Sequence, residues 1–216
     1  MIKIENHEVL GWEHAIRGMR NPMNSWHKRD SVTVFGKTTI GENDLDLMTR
    51  LRNAGSDHRK YMRMLTVYVD ITAPLYWWKE FDTYKVGTTA NSCSTMHKIH
   101  AKEFTLDDFS HEQLDNEETV WTDSDIGHYN ALDILGVIVE VLNCCRERYI
   151  KTKDKEYWWQ MIQLLPTSFN QKRTVMLNYE VLANMYHSRK NHKLDEWHDL
   201  CHWIESLPYS QLITGN

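Results

Sequence analysis

Apolar and polar positions alternate through MLTVYVDI (64–71), a run rich in β-branched and aromatic residues, and this period of two predicts a strand. IKIENHEVL (2–10) predicts another, and VTVF a short one inside an otherwise loop-like 23–41. Elsewhere the period lengthens towards that of a helix. GWEHAIRGMR (11–20) predicts a short helix ending near Asn21–Pro22. From Glu42 to Ala54 the residues Leu45, Met48 and Leu51 fall at helical spacing, and Gly55 supplies a stop. Pro74 suits the first turn of a helix that carries Leu75, Trp78 and Phe81 on one face. Gly87 to Ser94 breaks that pattern with small polar residues. After Phe104, a threonine cap opens a short helical turn. Residues 115–125 are acidic and predict a solvated loop. Asn130–Tyr149 predicts a long helix whose end, with Arg146 and Arg148, complements the helix dipole. Glu156–Leu165 predicts a further helix, stopped before Pro166. Phe169–Arg189 predicts another, with Met176, Leu177, Val181, Leu182 and Met185 at core spacing, and Lys193–Ser206 the last. No repeat, low-complexity tract or linker interrupts the chain. The expectation is one domain over 1–216, of the α/β (α+β) class, mostly helical with a small central sheet.

Composition narrows the function classes. The chain has 216 residues, 41% hydrophobic and 25% charged, enough for a sizeable core. A net charge of −5 gives no footprint for nucleic acid. No run of eighteen apolar residues predicts a membrane span, and the N-terminus lacks the pattern of a secretory signal. Cys93, Cys144, Cys145 and Cys201 form no spaced framework, so reduced thiols and a cytoplasmic location are expected. Nine Trp and ten Tyr point either to an aromatic core or to a pocket that stacks planar ligands.

Three groups could carry chemistry. His198 and His202 of HDLCH lie one turn apart, as metal ligands do, with Cys201 between them. The zincin pattern needs a glutamate where Asp199 stands, so no metal is assigned. Cys93 with His97 could form an activated thiol, with Glu80 and Asp82 as acid–base groups. A small buried cysteine and a solvated helix face explain the same residues. Arg189 ends a helix, where a cation complements the dipole; equally, its planar fork suits a phosphate or carboxylate.

The order of these pieces resembles the flavin-dependent thymidylate synthase family. In that family a strand leads through "AP" into a helix ending in R-H-R-x-x-S-x-N-E-x-S-x-R-Y. Here LTVYVDI leads through Ala73–Pro74 into LYWWKEFDTYKVGTTANSCSTMH. Downstream, Leu165–Pro166 is followed by Asn178 and by Asn184–Met185–Tyr186–His187–Ser188–Arg189, similar to the family's N-F-L-x-L-R. With one insertion, Asn91 and Ser94 match the signature's Asn and Ser. Thr83–Tyr84–Lys85 stands at R-H-R, Ser92 at the Glu, Met96 at the later Arg, Glu80 at a nucleotide-contacting Gln, and Glu180 at an Arg beyond Asn178. The resemblance implies FAD as cofactor, NADPH and methylenetetrahydrofolate as co-substrates, and a dUMP-like pyrimidine nucleotide as substrate. It implies methyl transfer in a cytoplasmic homotetramer without nucleic-acid or membrane partners. It assigns Arg189 and Ser94 to catalysis and nucleotide binding, Glu80 and Thr83 to the nucleotide, and Lys85, Thr88, Asn91 and Asn178 to the flavin. The substitutions remove phosphate donors and, at Glu80 and Glu180, add negative charge. Lys85, Lys98, Arg173 and the amides around Gly87–Thr89 could compensate. The alternative is a catalytically altered or inactive homologue serving as a nucleotide-binding or assembly module.

Overall fold

A computed structural model describes residues 1–123 and 127–215. The chain divides into two compact units, each drawn from separated segments. The smaller comprises Met1, Thr72–Glu80 and Ser92–Lys172; the larger comprises Ile2–Ile71, Phe81–Asn91 and Arg173 onward. The architecture is α/β, with helices predominating over a small sheet, as expected from the pattern.

In the larger unit, β1 (Lys3–Leu10) leads into α1 (Trp12–Arg20) through Gly11. Gly11 has φ 96°, and a Cβ there would lie 2.0 Å from the Met64 carbonyl oxygen, so only glycine fits. The hairpin β2 (Val32–Val34) and β3 (Lys37–Thr39) precedes α2 (Glu42–Asn53). Among the described residues a four-stranded sheet has the order β1-β4-β8-β5, with β4 at Thr66–Pro74, β5 at Thr89–Ser92 and β8 at Asn170–Asn178. Val67, Val69, Ile71 and Ala73 of β4 are buried while Tyr68 is exposed, which is the predicted alternation. Helices α6 (Tyr179–Arg189), α7 (Asp195–Glu205) and α8 (Gln211–Thr214) complete the unit.

In the smaller unit, α3 (Leu75–Phe81, all but its last residue) follows β4. The antiparallel pair β6 (Trp121–Asp123) and β7 (Gly127–Tyr129) precedes α4 (Ala131–Thr152), which packs on α5 (Lys155–Leu164). Asn130 caps α4 by accepting from Asp133 N, and Asp154 caps α5 by accepting from Glu156 N. Phe104, Phe109, Leu135, Leu142 and Met161 form the core. Thr105 and Asp108 make a capping box around the expected turn.

Four expectations change. Phe169–Arg189 is not one helix: Asn170–Asn178 is a strand, and only Tyr179–Arg189 is helical. Gln171, Val175 and Leu177 are buried on one face of the strand, with Arg173 half-buried between them, and the pair Leu177–Val181 mimics helical spacing across the boundary. Pro74 ends β4 instead of opening α3. The break after Gly87 contains a fully exposed strand, β5, at one edge of the sheet. The acidic 115–125 stretch contains β6; its residues 124 and 125 lie outside the described residues.

Candidate functional site

The larger unit gathers aromatic and basic side chains around the end of α6. The Arg189 guanidinium carbon lies 4.6 Å from the Trp197 ring centroid and 5.6 Å from that of Tyr84. Its Nε donates to the Tyr84 hydroxyl at 3.0 Å. Trp197 is fully buried and meets Tyr84 edge-on at 6.1 Å. Two rings and a phenol thus flank the half-buried guanidinium. A guanidinium suits a two-pronged grip on phosphate or carboxylate. Tyr84 is the middle residue of Thr83–Tyr84–Lys85, and the sequence assigned it no role. Its place between two expected ligand-binding residues, Thr83 and Lys85, was the available signal.

The segment after Tyr84 reaches the start of α6. Gly87 has φ 79°, and a Cβ there would lie 3.0 Å from Asn178 Nδ2 and 3.1 Å from Val181 Cγ2. Glycine permits both the backbone angle and the close approach. Asn178 caps α6, its Oδ1 accepting from Val181 N at 3.0 Å. The Thr88 hydroxyl is buried without a hydrogen-bond partner. Thr83, Lys85 and Asn91 are exposed. Arg173 pairs with Asp82 at 2.7 Å, so neither is a solitary charge.

Glu180 does not act as the bare negative charge that its sequence position suggests. Arg59 Nε donates to it at 3.1 Å, and Arg63 forms a second, shorter contact. Burial pushes the Glu180 carboxyl up, but the hydrogen bonds and charges of Arg63 and Arg59 outweigh burial and hold it below its usual range. One carboxylate facing two guanidiniums leaves this corner basic.

The smaller unit holds Glu80 and Ser94. Ser94 lines a cavity of about 350 Å³ together with Cys93, Lys98, Lys102, Gln171 and Lys172. Its Oγ accepts from His97 N at 2.9 Å and Met96 N at 3.2 Å, so the hydroxyl shapes the turn. Cys93 is anchored through its backbone: its N–H donates to Lys172 O and its carbonyl accepts from Gln171 Nε2. Lys102 pairs with Asp108, and Glu80 is half-buried.

The HDLCH group lies on α7. His198 Nδ1 stands 3.6 Å from Asp195, and burial pushes the Cys201 thiol up to about 11, keeping it protonated at neutral pH. Among the described residues no group of three or more His, Cys, Asp or Glu is arranged to hold a metal ion, and no helix is long and apolar enough to cross a membrane.

No family model matches the sequence, and no curated protein matches it. Solved structures do match its fold. Thymidylate synthase X from Helicobacter pylori, in a structure with FAD and dUMP, is 17% identical with a TM-score of 0.69, over 100% of this chain and 98% of that one. A second structure of flavin-dependent thymidylate synthase from Helicobacter pylori, complexed with FAD and dUMP, gives 16% and 0.65 over 99% and 98%. The UMP/dUMP methylase PolB from Streptomyces cacaoi, bound with 5-Br UMP, gives 12% and 0.62 over 100% and 95%. The likeness spans whole chains and shows a shared fold.

Proposed function

We propose that this chain is a flavin-dependent pyrimidine-nucleotide methyltransferase of the thymidylate synthase kind. The observation that carries the reading is Arg189, which stands at the sequence position where the resemblance puts a nucleotide contact and is flanked by Trp197 and Tyr84. The full-length likeness to structures containing FAD with dUMP, or a brominated UMP, supports the ligand class. The flavin is tested against the residues present. The Thr88 hydroxyl is buried and unpartnered beside exposed Lys85 and Asn91, and Arg59 with Arg63 offsets Glu180. A polar group awaiting a partner and a retained basic corner fit a phosphate-bearing cofactor.

In this reading Arg189 grips the nucleotide and orients it, Thr83 contacts it, and Lys85, Thr88, Asn91 and Asn178 contact the flavin. When bound there, a reduced flavin would supply the hydride that turns a transferred methylene into a methyl group. Methylenetetrahydrofolate is the carbon donor and NADPH the reductant. The protein's own work is to bind, orient and exclude water. A homotetramer completes the site. Titration with FAD and dUMP tests the proposal. FAD uptake should give a yellow protein, and Arg189→Ala should weaken dUMP binding by roughly 10- to 100-fold, the scale of losing charge-assisted hydrogen bonds. Unchanged dUMP affinity in Arg189→Ala would refute the assignment.

A second reading, a nucleotide-binding or assembly module without catalysis, is favoured by Thr83 and Met96 standing at the family's arginine positions. It predicts a colourless protein that does not take up FAD.

A further inference from the structure

The larger unit carries an apolar projection and an apolar hollow, and the proposed chemistry uses neither. The projection is the β2–β3 hairpin. Val32 pairs with Thr39, Thr33 with Thr38 and Val34 with Lys37, which leaves Phe35 and Gly36 as a two-residue turn. Both turn residues have positive φ, 47° and 79°, the combination that matches the twist of the flanking strands. Glycine takes such an angle freely and asparagine at little cost, whereas a bulky phenylalanine is strained there. Nothing in the chain offsets that strain by burial, because Phe35 is fully exposed. Val32 and Val34 are exposed beside it.

The base of the hairpin, by contrast, is fixed. The Thr33 and Thr38 hydroxyls bond across the strands at 3.0 Å, and Gly41 N donates to Ser31 Oγ at 3.0 Å. Asp30 accepts from Asn43 N at 2.8 Å and Asp44 N at 3.0 Å, tying the entry of the hairpin to the start of α2. A strained aromatic held out on a fixed base is an outlier that points to recognition. The hollow measures about 600 Å³. There α1, the turn Asn21–Met23, α2 and the turn Arg59–Met64 contribute Met19, Met23, Leu47, Leu51, Tyr61 and Met64. Thioethers are polarizable and adaptable, and they pack well against aromatic ring edges. Asp57 is the one carboxylate that lines the hollow. Lys37 stands opposite Val34 at the tip, so a tip entering the hollow brings a cation towards a carboxylate. Lys60, also on the wall, is exposed and long enough to swing clear.

We propose that two copies of this chain exchange hairpin tips, Phe35 of each entering the methionine-lined hollow of the other. The occupant is a second copy because the chain itself supplies both the exposed aromatic and the apolar wall. A single tip is a small contact. Two exchanged tips, each with an aromatic that buries about 150–250 Å² and two flanking valines, together with the surface they cover, reach the about 1,000 Å² that a specific interface needs. Exchange about a two-fold axis closes the pair and leaves no free tip to propagate a fibre. The inference stands independently of the flavin and nucleotide reading.

Sedimentation equilibrium of the full chain over a range of concentrations tests it. The expected result is a reversible step that doubles the mass. Phe35→Ser should weaken that step by roughly 10- to 100-fold, the scale of a central aromatic anchor. Met23→Asp, an exposed change on the wall of the hollow, should weaken it comparably and keeps the test independent of the hairpin. Phe35→Asn should lose association as Phe35→Ser does, while urea unfolding of the dilute chain shows no loss of stability, because asparagine tolerates the positive φ. The exposed thiols of Cys93 and Cys144 are removed by Cys93→Ser and Cys144→Ser for the last measurement. In that background, chains with Phe35→Cys mixed with chains with Met23→Cys should form a mixed disulfide on oxidation with copper phenanthroline. Three results would overturn the proposal: no mass-doubling step in the unaltered chain, a step unchanged by both Phe35→Ser and Met23→Asp, or disulfides joining Phe35→Cys chains only to one another.

Discussion

Arg20 and Arg189 each end a helix, and in the sequence both look like cations complementing a helix dipole. The structure gives them different surroundings. Arg20 is buried and grips Asp44 through Nε at 2.7 Å and Nη2 at 2.6 Å. The other Asp44 oxygen accepts from Ser31 N at 2.9 Å and Ser31 Oγ at 2.6 Å. Both partners lie inside protein, with side-chain exposures of 4% and 0%. Arg189 is half-buried and lies against aromatic faces, with a phenol at Nε. A buried fork closed on a carboxylate is architecture, and a half-buried fork beside a tryptophan ring and a phenol is a candidate for recognition. The partners decide the role, not the residue type or the position in the helix.

The largest expected effect breaks the Arg20 side of this comparison. Asp44→Ala strands a buried guanidinium and orphans the Ser31 donors, so urea unfolding should show a loss of about 3–5 kcal/mol. A loss under about 1 kcal/mol would mean that the pair is not the structural element described here. Acid probes the same pair. Burial pushes the Asp44 carboxyl up, but the Ser31 hydrogen bonds and Arg20 outweigh it and hold it low; Glu180 is likewise held low. A carboxyl depressed in the folded state binds its proton more readily in the unfolded chain. The stability it contributes is therefore complete above the unfolded value of about 4 and drains away as pH falls through the folded one. Stability measured from pH 7 down to pH 2 should fall. Glu180→Gln should fall less steeply over that range, and an identical slope would deny Glu180 its ionic role.

Gly87→Ala comes next and tests the loop that carries Tyr84 towards α6. A left-handed backbone angle and a Cβ at 3.0 Å from Asn178 Nδ2 should together cost about 1–3 kcal/mol in thermal or urea unfolding. No change would mean that Gly87 is not held against Asn178 and Val181.

Much of this architecture was legible from local pattern. The β4 alternation, the Asn130 cap and the stop before Pro166 each rest on residues within a few positions of one another. The boundary at Asn178 was misread because Leu177 and Val181 are one helical turn apart in sequence while belonging to different elements. Asn178, followed by Val181 whose N–H it caps, was the local signal that a helix starts there. Of the candidate site, Arg189 was legible as a fork without a known partner. Its contacts were not, because Tyr84 lies 105 residues away. The neutralisation of Glu180 was hidden for the same reason: Arg63 lies 117 residues upstream. Short-range periodicity places elements, whereas charge pairing across the fold is settled by topology.

The smallest effect sharpens the Arg189 side. Tyr84→Phe keeps the ring that flanks the guanidinium and removes only the hydroxyl that accepts from Nε. Folding stability should change by less than about 1.5 kcal/mol, the scale of one hydrogen bond. If orientation of the fork is what matters, dUMP affinity should fall by roughly 3- to 10-fold, because the phenol fixes the guanidinium about its long axis while Trp197 fixes only its plane. Arg189→Ala should lose more, since it removes the charge as well. Combining the two substitutions should cost no more than Arg189→Ala alone, because the hydroxyl acts through the guanidinium. Additive losses would show that Tyr84 reaches the nucleotide itself, and Arg189 would then be one of two independent contacts.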